Sequence, residues 1–254
     1  MISVVIVGTG NVAQNLFQAF EKVTDVEIKQ VIGRNENHLS FVKNKAPINT
    51  DFNKIPAADI YILAVSDDSI GLVAEKFKDC KGILVHTSGA TSLDILSTYD
   101  RTGIFYPLQT FTKGKIISFK DIPICLEAKN LKDLELLQKL GETLSNTVIK
   151  VSSEQRKVLH IAAVFVNNFT NYMYTIGEEI CTENNVDFKL LKPLIKETAA
   201  KLDDLTPYES QTGPAKRADQ KTLHNHLQLI KNTHHRELYT LLSNAIKHKH
   251  GKEL

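Results

Sequence analysis

Ile2-Ser3-Val4-Val5-Ile6-Val7 is a strand-length run rich in branched apolar residues, and it passes directly into Gly8-Thr9-Gly10-Asn11-Val12-Ala13. After the turn, Val12, Leu16, Ala19, Phe20 and Val23 recur at helical spacing, so one face of the following helix is apolar. A second apolar run, Val26 to Gly33, follows at the distance a βαβ unit requires. This opening commits the chain to a parallel sheet, because parallel neighbours can be joined only through a crossover. Gly8 permits the tight turn, Gly10 leaves backbone room for a pyrophosphate, and Ala13 lets helix and strand approach closely. A dinucleotide's phosphates would rest on the free N–H groups and positive end of the helix. Gly8, Thr9, Gly10, Asn11, Val12 and Ala13 are therefore candidate cofactor contacts.

The second strand closes on Gly33-Arg34-Asn35, where an NAD site usually carries a carboxylate for the ribose hydroxyls. A guanidinium suits a ribose 2′-phosphate instead, with charge-assisted bonds and a flat face for adenine. Arg34 and Asn35 thus favour NADP over NAD and weaken the case for S-adenosylmethionine. A solvated surface arginine is the plain alternative.

Strand-like runs alternate with polar or helical segments through Ile60–Val65, Ile83–Thr87 and Gly103–Tyr106. Two more, Ile122–Glu127 and Thr147–Val151, flank a helix from about Leu131 to Leu144. After Ser152 only helical patterns remain, first from about Ser153 to Asn184, then Phe188–Leu202, Thr222–Asn232 and His235–Lys247. The apolar run Ile161 to Val166 predicts that much of the first is buried. The expected fold is α/β, a doubly wound, mostly parallel Rossmann sheet over residues 1–152 followed by an all-helical C-terminal domain over 153–254.

Ligands of open α/β sheets lie beyond the carboxyl ends of the strands. Ala64-Val65-Ser66-Asp67-Asp68 and His86-Thr87-Ser88-Gly89-Ala90 end two of them. Val65, Ser66 and Ser88 are candidate cofactor contacts, and His86 a candidate donor to substrate. Helix capping by Asp68 and by Thr91 or Ser92 is the simpler role for those residues.

A formal charge of +2 with scattered basic residues gives no reason to expect a nucleic-acid or membrane partner. No apolar run reaches spanning length, and none near the start has a basic flank, which favours the cytoplasm. Cys80, Cys125 and Cys181 lack the spacing of a metal site or redox dithiol, so no metal is expected. Gly251-Lys252-Glu253-Leu254 departs from the retention signal it is similar to.

His86-Thr87-Ser88-Gly89-Ala90, Tyr106-Pro107-Leu108-Gln109-Thr110-Phe111 and Thr212-Gly213-Pro214-Ala215-Lys216-Arg217-Ala218-Asp219 span much of the chain. In these motifs it resembles the Rossmann-like NADP oxidoreductases of the 6-phosphogluconate-dehydrogenase-like superfamily. The resemblance implies an NADP-binding domain followed by a helical domain that forms a homodimer and closes a substrate pocket between the two. Residues Thr212–Thr222 are more distantly similar to the substrate-carboxylate loop of pyrroline-5-carboxylate reductases, with Lys216-Arg217 and Asp219 replacing paired glycines and threonines. Some relatives pair deazaflavin with NADP, although no separate pocket for it is legible.

Lys157, His160, Asn167 and Asn171 share one face of the helix after Ser153 if it is a regular α-helix. The lysine–asparagine pair of related hydroxyacid dehydrogenases is absent, because Ile161 stands four residues after Lys157. His160 is then the candidate proton donor and Asn167 the residue that orients substrate. A polar stripe satisfied by a neighbouring helix explains both equally well. Arg217 could take a substrate carboxylate and Thr212 supply a hydroxyl, or Gly213-Pro214 could simply turn the chain between helices. The expected activity is NADP(H)-dependent hydride transfer with a small carbonyl or imine compound. A non-catalytic NADP sensor is the alternative.

Overall fold

The computed structural model describes residues 1–42 and 44–250, so the Gly251–Leu254 motif lies outside the described residues. Two compact units divide at Asn167/Asn168. The change to purely helical sequence comes earlier, at Ser153, where a helix of the first unit begins.

In the first unit, β1 (Ile2–Val7), α1 (Asn11–Phe20) and β2 (Val26–Ile32) form the anticipated crossover. They are followed by β3 (Ile48–Asn49), β4 (Ile60–Leu63), α2 (Ile70–Ala74), β5 (Ile83–His86), β6 (Thr102–Pro107), β7 (Ile124–Ala128), α3 (Leu131–Glu142) and β8 (Val148–Lys150). The strands form one sheet in the order β3-β2-β1-β4-β5-β6-β7-β8. Only the β6–β7 pair is antiparallel, Pro107 opposite Ile124, so the rest of the sheet is parallel. The order departs to either side of β1, which makes the gap between β1 and β4 a topological switch point.

Strand alternation supplies a core on each face of the sheet. Val4 and Ile6 pack with Phe17, Phe20, Phe105, Leu137 and Leu140. Val5 and Val7 pack with Tyr61, Leu63, Ile70 and Phe77. With both faces covered, the carboxyl ends of β1, β4, β5 and β6 share one edge, and the loops there are free to build a site.

The expected long helix is interrupted. α4 (Ser153–Ala163) passes through a π-helical turn (Val164–Phe169) into α5 (Thr170–Glu183). Its apolar run is not buried within one chain, since Ile161, Phe165 and Val166 are 60%, 64% and 74% exposed. Helical periodicity marks an apolar face without saying what covers it. The second unit continues through α6 (Lys192–Ala200), α7 (Pro207–Ser210), α8 (Gln220–Leu229) and α9 (Thr233–His250).

Candidate active site

The turn after β1 is built for close approach. Gly8 has φ +130°, and a Cβ there would fall 2.1 Å from the Ala64 carbonyl oxygen, so glycine is required twice over. At Gly10, by contrast, a Cβ would meet nothing within 4 Å. Gly10 is also the N-cap of α1, in extended backbone and with no side chain capping the helix. The first N–H groups of α1 therefore face open space with no protein acceptor at the cap, which fits the pyrophosphate of a dinucleotide.

Ala13, in the first turn of α1, is buried in the core beneath the helix, and Val12 packs partly buried against the same core. Thr9 lies against the end of β2, where a Cβ on Gly33 would come 2.5 Å from its methyl carbon. The Asn11 amide points elsewhere, donating to the Phe111 carbonyl at 2.8 Å and clasping the segment after β6. Asn15 reinforces this clasp by donating to Lys115 O and accepting from Ile117 N–H. Arg34 and Asn35 are exposed just beyond β2, and Asn35 Oδ1 accepts from Asn37 N–H in a local turn. Val65 lies beside Gly8, while exposed Ser66 shares a hydrogen bond with Ser69 rather than capping the next turn. Asp68 lies within that short turn and does not cap it, whereas Ser92 does cap the one following the β5 loop.

His86, at the end of β5, is wholly buried. Its Nδ1 accepts from Ser88 N–H at 3.2 Å, and Nε2 has no partner of good geometry among the described residues. Burial, aided by the nearby Arg156 charge, pushes its pKa down to about 4. In this arrangement His86 shapes the turn after β5 instead of presenting a donor outward. Ser88 does the same, its hydroxyl accepting from Ala90 and Thr91 N–H and donating to Thr91 Oγ1.

Beside that turn stand two side chains from distant segments. Tyr106, on β6, has its hydroxyl 3.3 Å from Nδ1 of His160 on α4. Gly89 makes room for them: a Cβ there would lie 2.6 Å from His160 Nδ1 and 2.9 Å from the Tyr106 hydroxyl. Burial raises the Tyr106 pKa, so its hydroxyl keeps its proton at neutral pH. Neither Tyr106 nor Gly89 is among the site residues expected from the sequence, although both lie in motifs that carry the family resemblance and close to strand ends on the ligand-bearing edge.

The α-helical spacing that relates Asn167 to His160 is broken between them by the π turn over Val164–Phe169. The π turn bonds i to i+5 instead of i to i+4, so the regular 3.6-residue register does not run through it. Asn167 is half-buried, and Lys157 is exposed. Thr212 and Arg217 are exposed on a loop of the second unit, closed by Lys216 Nζ donating to Gln211 O and shaped by positive φ at Gly213 and Ala218. Among the described residues no group of three or more His, Cys, Asp or Glu could hold a metal ion, and no helix is long and apolar enough to cross a membrane.

A sequence profile for a family described as a domain of unknown function (DUF2520) matches residues 122–246. No curated protein matches the chain. Among solved structures, a Bacteroides fragilis protein provisionally described as an NADP oxidoreductase is 36% identical, with 97% of this chain and 98% of that one covered and a TM-score of 0.89. An imine reductase from Myxococcus stipitatus in complex with NADP+ is 16% identical, covering 98% and 96%, with a TM-score of 0.70. A pyrroline-5-carboxylate reductase from Streptococcus pyogenes is 15% identical, covering 99% and 97%, with a TM-score of 0.64. The latter two share the fold. The first, alike in sequence from end to end, shows that the chain belongs to the Rossmann-like NADP oxidoreductases.

Proposed function

We propose that the protein uses NADPH to reduce a small carbonyl or imine compound. The observation that carries this reading is the Tyr106–His160 pair, set beside the turn after β5 on the sheet edge that also holds the Gly8–Gly10 turn. NADPH, when bound, supplies the hydride. Gly8, Gly10 and the first turn of α1 hold its pyrophosphate, with Thr9, Val65, Ser66 and Ser88 lining the approach. Arg34 takes the ribose 2′-phosphate, beside Asn35. Reduction also needs a proton at the oxygen or nitrogen of the former double bond. Tyr106 Oη donates it, and His160 in its protonated, imidazolium form gives its Nδ1 proton to the phenolate oxygen, leaving a neutral imidazole that takes up a proton from water. Asn167 orients the substrate. An imine substrate draws support from the imine and pyrroline-5-carboxylate reductases that share the fold.

The active protein is a homodimer. Among the described residues from Asn168 onward only Ala215 and His235 are buried, whereas Leu190, Leu194, Leu229 and Leu241 are exposed. A helical unit with so little core needs another apolar surface, and a second copy supplies one. The three cysteines are all free, which fits the reducing cytoplasm.

The test is loss of NADPH absorbance against a panel of cyclic imines and small oxo compounds, with His160→Ala and Tyr106→Phe as controls. Turnover that both substitutions depress by about 100-fold or more supports the reading. Tight NADPH binding with no turnover across the panel overturns it. Light scattering at micromolar concentration checks the dimer.

A further inference from the structure

The Arg156 guanidinium, in the first turn of α4, is completely buried. Its Nε donates to Ser88 O at 3.2 Å and its Nη1 to Glu127 Oε2 at 2.6 Å. Nη2 donates to Thr91 O and to Ser153 Oγ. Glu127, on β7, also accepts from the N–H and hydroxyl of Ser153, at 3.0 and 2.8 Å. Ser153 Oγ in turn accepts from Leu93 N–H. A capping box between Ser152 and Gln155 completes the start of α4. The turn after β5, strand β7 and helix α4 therefore converge on one planar fork.

Burying a charge is costly unless it is paired and its remaining donors are satisfied. Here that cost is offset by a geometry that only a guanidinium can complete. Lysine has a single nitrogen and cannot reach Ser88 O, Thr91 O and Glu127 together. His160 lies one helical turn beyond Arg156 on the same face of α4. Gly89, against which His160 packs, lies between the two carbonyls that Arg156 holds. One side chain thus ties both objects whose separation sets where His160 Nδ1 stands.

We infer that Arg156, locked by Glu127, is a positioning residue that holds α4 and the Ser88–Thr91 turn in the one spacing that brings His160 to Tyr106. The inference rests on the reading of Tyr106 and His160 as the proton-donating pair. It separates Arg156 from a residue that merely supplies charge or stability, because Arg156→Lys keeps the charge and loses the fork.

Three readouts on the full chain test it. They are NADPH affinity from nicotinamide fluorescence, the proton contact between the His160 and Tyr106 rings by nuclear magnetic resonance of selectively labelled protein, and kcat with KM for whichever imine or oxo compound the wild type reduces. In Arg156→Lys, NADPH affinity should stay within about threefold, the ring contact should be lost, and kcat should fall about 100-fold with KM within about threefold, as expected for a displacement near 1 Å. Glu127→Gln should move the same readouts in the same direction by a smaller factor. An unchanged ring contact and kcat in Arg156→Lys overturns the inference, as does a fall in NADPH affinity by the same factor as kcat. If Arg156→Lys does not fold, Glu127→Gln is judged on the same criteria. If the wild type reduces nothing in the panel, the reductase reading fails while the ring contact still decides the role of Arg156.

Discussion

The Tyr106 hydroxyl stands 3.3 Å from Nδ1 of His160, and their rings meet edge to face at 66° with centroids 6.3 Å apart. Gly89 sets the limit of that approach, since a Cβ there would sit 2.6 Å from the same nitrogen. Gly89→Ala should push the imidazole aside and lower kcat roughly 10- to 100-fold while NADPH affinity changes little. Steady-state kinetics beside a fluorescence titration checks this. Equal losses in both would mean that the substitution disturbs the nucleotide turn instead.

The two glycines of the first turn should fail in different ways. A Cβ on Gly8 overlaps the Ala64 carbonyl at a backbone φ of +130°, so Gly8→Ala should destabilise the protein by several kcal/mol, on the order of the larger point-mutant effects. A Cβ on Gly10 meets no protein atom within 4 Å, so Gly10→Ala should cost only about 1 kcal/mol as a poorer N-cap. That Cβ enters the space assigned to the phosphates, so NADPH binding should drop sharply. Urea denaturation and calorimetric titration of both variants separate the two effects.

Arg34 is exposed at the end of β2, and no carboxylate among the described residues pairs with it. Arg34→Ala should weaken NADPH by about 10- to 100-fold, the range of one charge-assisted contact, and NADH by little. A parallel loss for both coenzymes would remove Arg34 from the 2′-phosphate site.

His86 gives stability a pH signature. Its pKa is about 4 in the fold because burial disfavours the imidazolium, against about 6.5 in an unfolded chain. Between those values the unfolded state binds the extra proton, so the contribution of neutral His86 is fully present above about pH 6.5 and lost as pH falls towards 4. The loss should be on the order of 3 kcal/mol. Asparagine can still accept the Ser88 N–H, so His86→Asn should lose less stability than the wild type between pH 7 and 4.5 in urea denaturation.

The nucleotide turn was legible because its chemistry is local. The positive φ of Gly8, the extended N-cap at Gly10 and the small Ala13 belong to one strand-turn-helix, and Arg34 follows the next strand, whereas the Ala64 carbonyl that also excludes a Cβ at Gly8 comes from a distant segment. The alternation of strand and helix up to Val151, and the helical patterns beyond, likewise depend on neighbours within a few residues. The apolar face of α4 was legible as a pattern, but its exposure was not, because periodicity cannot say what surface lies opposite.

Local interactions set where strands and helices start and which face of each is apolar, and they shape the glycine turn after β1. They could not pair Tyr106 with His160, 54 residues apart, or set Gly89 against both. Those contacts follow from the parallel register of β5 with β6 and from the way β7 and the β5 loop close on Arg156. Only packing gives the buried donors of Arg156 partners from Ser88, Thr91 and Glu127. The π turn after Ala163 is of the same kind: it leaves no mark in hydrophobic spacing, yet it breaks the α-helical register between His160 and Asn167.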